Sequence, residues 1–136
     1  MMAFTGAKRP TDTEQSTGSE RGSSTVATVG LVCALLILGA TCAGLIGVIT
    51  AQHRAAAAAD LAALAAADVA RGLAPGEPCA VAERVAHSNG ARLGGCGQPA
   101  GLGGTVDVRT LVDITGPFAF LGPAEGISRA GPPDSS

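Results

Sequence analysis

The sequence predicts an α+β protein in which one long N-terminal helix precedes a small helix-and-sheet unit. Three observations predict it. Thr25 to Ala51 contains no charged residue and runs without a proline into the alanine-rich tract Gln52 to Leu73. Thr105 to Ile114 then alternates between apolar and polar side chains, the period of a half-buried strand. Between these stretches Gly and Pro cluster, which is where a chain turns.

Taken in order, residues 1–24 are polar and mixed in charge, and composition predicts a disordered segment. Residues 25–51 form the apolar part of the helix. Residues 52–73 extend it through mostly Ala, the strongest helix former, until Gly72 and Pro75 stop it. Counted from Thr25 to Arg71, the helix is roughly 70 Å long at its usual rise. A small α+β unit follows over 76–130. Pro78 to Asn89 reads as a short helix with Val81, Ala82, Val85 and Ala86 on one face, and Asn89-Gly90 as its stop. Arg92 to Cys96 can form a short strand, followed by a Gly-rich turn from Gly97 to Gly104. On the next strand Val106, Val108, Val112 and Ile114 face inward, while Asp107, Arg109 and Asp113 face outward; Thr110 interrupts the inner face. Gly116-Pro117 ends that strand, and Phe118, Phe120 and Leu121 are expected to cover the core. Glu125 to Ala130 adds an edge, giving a two- or three-stranded antiparallel sheet. Residues 131–136 read as a disordered tail.

The uncharged run has 27 residues from Thr25 to Ala51, where about 20 suffice to cross the hydrocarbon core of a bilayer. A single transmembrane helix is therefore expected. Cleavage after Ala51, with release of the remainder, is the alternative. Lys8, Arg9 and Arg21 before the run, against Arg54 and Arg71 after it, place the N-terminus on the cytoplasmic side. Small residues recur at four-residue spacing as Gly30/Ala34, Ala40/Gly44 and Ala43/Gly47, a pattern that lets helices approach closely in lipid. Beyond the run, Leu61, Leu64 and Val69 are read as one apolar stripe, with Arg54 and Asp60 beside it, for packing on like helices or on the tail unit.

Four cysteines fall into two pairs. Cys33 and Cys42 lie nine residues apart, on opposite faces of a helix, and serve as small apolar fillers. Cys79 and Cys96 are either a disulfide, useful in an extracytoplasmic domain of this size, or two free thiols.

Gln52-His53-Arg54-Ala55 through Asp60-Leu61-Ala62-Ala63-Leu64, directly after a single apolar run, resembles the signature of TadE/TadG-like proteins. These are pseudopilin-like components of tight-adherence (Flp-type) pilus systems. The nearest likeness is to the short TadE-like proteins of high-GC Gram-positive bacteria, found beside secretion genes and a helicase. The resemblance implies a pilin-like arrangement of long helix and small sheet. It also implies prepilin-type processing between Gly22 and Ser23. The family's acidic residue five positions after the cleaved Gly is here Ala27, so the chain is expected to remain uncleaved or to act without polymerising.

Catalytic chemistry finds no footing. A net charge of −2 and the absence of Trp and Tyr argue against nucleic acid. His87 stands four residues after Glu83 as a solvated helix pair. A zinc set of Cys79, Cys96 and His87 lacks close spacing and a fourth ligand. Gly101 to Gly104 lacks the Lys-Ser/Thr ending of a phosphate loop. The expectation is a non-enzymatic membrane protein with no cofactor, no metal and no small-molecule substrate. Its partners would be the lipid bilayer and other pilus or secretion components, reached by helix packing. The competing reading is a secreted binding module or effector released near Ala51.

Overall fold

The computed structural model describes residues 17–133, and the chain divides into two compact units at Gly39/Ala40. Helix α1 (Thr17–Ala70) supplies the whole described part of the first unit and continues into the second. The second unit adds helix α2 (Pro78–Ser88), strands β1 (Arg92–Gly97), β2 (Val106–Val112) and β3 (Ala124–Ala130), and a 3-10 turn at Ala119–Leu121. A long apolar helix, a small helix and an antiparallel sheet are the α+β arrangement that the sequence predicts.

Helix α1 begins at Thr17, eight residues before the predicted Thr25, so residues 17–24 are helical and not disordered. Extending a helix by one residue costs far less than nucleating it, and a strong apolar helix can draw its polar flank into the same conformation. The remaining residues predicted to be disordered at the ends, 1–16 and 134–136, lie outside the described part, as do Lys8 and Arg9. At its other end α1 closes with a Schellman pair: Gly72 N–H donates to Val69 O at 3.0 Å and Leu73 N–H to Asp68 O at 2.8 Å. Gly72 takes the positive φ of 76° that this cap requires. Helix α2 ends the same way around Gly90, and starts on the Glu77 carboxylate, which accepts from the backbone N–H of Cys79 and Ala80.

The three strands are antiparallel in the order β1-β2-β3, with β2 in the centre. Its inner face is Val106, Val108, Thr110 and Val112, all buried, and Ile114 continues it just beyond the strand. A register shift between Leu93 and Gly95 bulges β1 around Gly94. That irregularity keeps both Leu93 and Cys96 on the core side.

The core has two clusters. One joins Ala62, Ala63, Ala66 and Ala67 of α1 to Ala82 and Ala86 of α2 and to Val106 and Val108. The other joins Ala51, Ala55 and Ala58 to Ala91, Val112, Ile114 and Ala124. Only Phe118 of the three residues predicted to cover the core does so. Phe120 is 78% exposed and Leu121 59%; they follow the 3-10 turn outward, away from the clusters.

Candidate functional site

Alanine decides how this unit is built. Beyond Gly44, the buried positions of α1 are Ala51, Ala55, Ala58, Ala59, Ala62, Ala63, Ala66, Ala67 and Val69. Their spacing of mostly three or four residues makes one face of a helix. Side chains this small let the sheet come close enough for backbone contact. Thr110 Oγ1 donates to the Ala55 carbonyl at 2.7 Å, and Gly126, paired with Thr110 across β2 and β3, lies against that same carbonyl and the Ala56 nitrogen. Any Cβ at position 126 would collide with helix backbone. Thr110, which the sequence marks as a break in the inner face, is fully buried and its hydroxyl is satisfied. A Thr is isosteric with Val, so its apolar side serves the core while its oxygen ties the sheet to the helix.

Leu61, Leu64 and Val69 do not form one stripe. Val69 is buried, whereas Leu61 and Leu64 are exposed. At about 100° per residue Leu64 and Val69 stand roughly 140° apart. Arg54, Asp60, Leu61 and Leu64 are all exposed; at about 100° per residue Arg54 and Asp60 stand at the two margins of the alanine face, and Leu61 and Leu64 on the side of α1 opposite it. Asp68 joins them there. The Arg54 stem also lies near Gly90.

The small-residue pairs separate likewise. Gly30 has nothing near it, and Ala34, Ala40 and Ala43 are exposed. Gly44 is buried beneath the Phe118 ring and Pro117, and Gly47 lies below the Thr115 carbonyl. These two glycines therefore already serve the chain's own loop. Gly22 and Ser23 are exposed positions within α1, and Ala27 is exposed as well.

Cys79 and Cys96 form a disulfide that ties the first turn of α2 to β1. Both sulfurs are thereby removed from any zinc set. Among the described residues no group of three or more His, Cys, Asp and Glu could hold a metal ion. The outer face of the sheet carries three ion pairs: Arg92 with Asp113 at 2.7 Å, Arg109 with Glu125 at 3.1 Å, and Arg129 bidentate on Asp107, with its second contact at 2.8 Å. The Arg129 hydrogen bonds hold the Asp107 carboxyl below its ordinary pKa and raise that of Arg129 in turn. A shallow trough runs over this face along Gly94, Gly95, Asp107, Arg109 and Arg129. Its Asp and Arg groups are committed to pairs within the sheet, and it presents no nucleophile set against a base.

Residues 22–69 match the model of the Tad family, described as Flp pilus-assembly TadE/G-like. That stretch of the chain is similar to TadE/G-like sequences. The match lies within α1 and ends one residue before the helix does. It therefore bears on the helix and not on the tail unit. Neither curated proteins nor solved structures give a match. One helix in the described residues, Gly22–Ala70, is long and apolar enough to cross a membrane. The TadE/G-like match thus falls on the helix that carries the membrane-compatible stretch.

Proposed function

We propose that the protein is a non-enzymatic, single-pass membrane component of a tight-adherence pilus or a type II/IV-like secretion apparatus, pseudopilin-like in build. The observation that carries this reading is the coincidence of the TadE/G-like match, 22–69, with the membrane-compatible helix. The N-terminus is cytoplasmic and the disulfide-bonded unit extracytoplasmic. The basic residues before the span and the Cys79–Cys96 bond support that orientation.

In this role the apolar part of α1 anchors, the alanine face holds the tail unit, and the opposite face with Leu61 and Leu64, flanked by Arg54 and Asp60, docks laterally on another pilus component. Ala27 occupies the position of the family's assembly carboxylate. A carboxylate in lipid is costly and is kept for a purpose; without it the chain assists assembly and is not a fibre-forming subunit. The site at Gly22-Ser23 then stays uncleaved.

Release of a secreted module after Ala51 has less support. Ala51 is 7% exposed within an unbroken helix and packs in the second cluster. Cutting there would also detach Gly44 from Phe118.

Carbonate extraction of membranes tests the anchoring: the protein is expected in the pellet, and its appearance in the supernatant would support the secreted module. Intact mass of the extracted protein is expected to include Met1–Gly22. Crosslinking in cells is expected to lose a lateral adduct in Asp60→Leu, and an unchanged adduct pattern removes the docking role of that face.

A further inference from the structure

The uncharged stretch from Gly22 to His53 is longer than a bilayer needs. Its 32 residues amount to about 48 Å of helix, against about 30 Å of hydrocarbon and roughly 40–45 Å with headgroups included. The structure distinguishes two parts of this stretch. Every residue from Gly22 to Ala43 is exposed, and burial begins at Gly44. Those first 22 residues give about 33 Å, one hydrocarbon thickness. From Gly44 onward the tail unit occupies one side of the helix, beginning with Pro117 and Phe118.

The loop that reaches Gly44 differs from the rest of the tail. Ile114 to Ala124 contains no charged residue, and two of the chain's three Phe residues fall within it. Phe118 packs on Gly44, with its ring 6.3 Å from that of Phe120. Phe120 and Leu121 project into the surroundings. At the same level the helix exposes Leu45, Ile46 and Ile49. An exposed apolar loop of this kind in water would be unusual for so small a domain. Its level on α1 matters here: Gly44 is ten residues, about 15 Å, below Arg54, on the side of the membrane span.

We infer that the bilayer covers residues 22–43, and that the Ile114–Ala124 loop is a second membrane contact. Phe120 and Leu121 enter the lipid boundary beside the helix exit. The occupant is a lipid surface, because the loop is continuous with the helix segment that lipid already surrounds. Uncharged apolar side chains suit the boundary between headgroup and acyl chain, and the electroneutral loop needs no anionic lipid. The tail unit would then lie against the membrane at one end, with Val112 and Ile114 just above the boundary. Its other end would be remote: Gly104 meets Arg71, 27 residues or about 40 Å along the helix from Gly44. This inference rests on the membrane-anchored reading of α1.

The chain has no Trp, so single Trp substitutions report depth without background. Full-length Phe120→Trp, Leu121→Trp, Leu35→Trp and Leu102→Trp would be reconstituted at low protein-to-lipid ratio in phosphatidylcholine vesicles. The lipids carry bromine at shallow or deep acyl positions. Phe120→Trp and Leu121→Trp are expected to emit at shorter wavelength than Leu102→Trp and to be quenched most by shallow bromines. Leu35→Trp is expected to be quenched most by deep bromines, and Leu102→Trp to emit as in water without quenching. A quenched Leu35→Trp beside Phe120→Trp and Leu121→Trp that both emit as Leu102→Trp does would overturn the loop contact and leave the anchor standing. Blue-shifted but unquenched emission from the loop would mean protein covers it, and overturns the lipid assignment. An unquenched Leu35→Trp would overturn the anchor and the loop contact together.

Discussion

Two stretches of one helix, residues 22–43 and 44–70, are both apolar and both rich in small residues, yet they meet their surroundings differently. The first exposes its full circumference, with Val29, Leu35, Leu36 and Ile37 turned outward. The second buries a face made almost wholly of alanine and exposes its three leucines, Leu45, Leu61 and Leu64. In water that distribution runs against the usual ranking, in which Leu is buried before Ala. Close approach explains it. The sheet and α2 take the face where side chains are shortest, so that Gly126 and Thr110 can touch helix backbone. Bulkier residues are left for whatever lies outside.

The largest effect on this contrast should come from the disulfide. Cys79→Ser with Cys96→Ser removes a closed loop of 17-residue separation and is expected to cost about 3 kcal/mol. Urea-dependent proteolysis of the full chain in detergent micelles would read it as a lower midpoint for cleavage of the tail unit, with α1 up to Ala43 unaffected. An equal loss in both stretches would break the comparison.

Next comes Gly126→Val, which drives a branched side chain into the Ala55 carbonyl. Overpacking of this kind costs about 1–3 kcal/mol, measured by the same midpoint. Gly30→Val, in the exposed stretch with open space around it, is expected to leave the midpoint unchanged.

Thr110→Val keeps the shape and deletes the hydroxyl. Because Ala55 O is also an acceptor within the helix ladder, the loss is expected to stay near 1 kcal/mol. Leu61→Ser and Leu64→Ser on the outward face should change stability by no more than about 0.5 kcal/mol. They are expected instead to weaken the lateral adduct. A large stability loss in these two variants would mean the outward face is part of the fold.

The smallest expected effect is electrostatic. Arg129 holds the folded Asp107 carboxyl below its ordinary pKa, so the unfolded chain binds this proton first as pH falls. Stability from the pair is therefore present above the ordinary carboxylate pKa and fades as pH drops through that value towards the lower folded one. Asp107→Asn should flatten the acid side of a pH–midpoint profile. Since the pair is exposed, salt should weaken the effect.

Much of this was legible beforehand, for identifiable reasons. Alternation in β2 follows from a period of two, and the inward set Val106, Val108, Val112 and Ile114 needs no tertiary information. The stops at Gly72 and Asn89-Gly90 are local chemistry. The hydroxyl by which Thr110 interrupts the inner face has a purpose only once its acceptor, 55 residues earlier, is in place. Phe120 and Leu121 are exposed, and apolarity alone does not distinguish a core position from an exposed one. The stripe of Leu61, Leu64 and Val69 failed because residues of similar hydropathy were grouped without regard to their angles.

By itself the sequence determined the order of elements, the length of the apolar helix, the spacing of Cys79 and Cys96 that allows a bond, and the half-buried character of β2. Each depends on composition or on a short repeat, and both are local properties of the chain. Only the tertiary structure decided which face of the alanine tract is covered, that Gly44 receives Phe118, and where the bare part of α1 ends. In a tract where nearly every side chain is a methyl group, hydropathy has no direction around the helix. The choice of face was made by the partner surface, by Gly126 and Thr110 meeting at a single carbonyl.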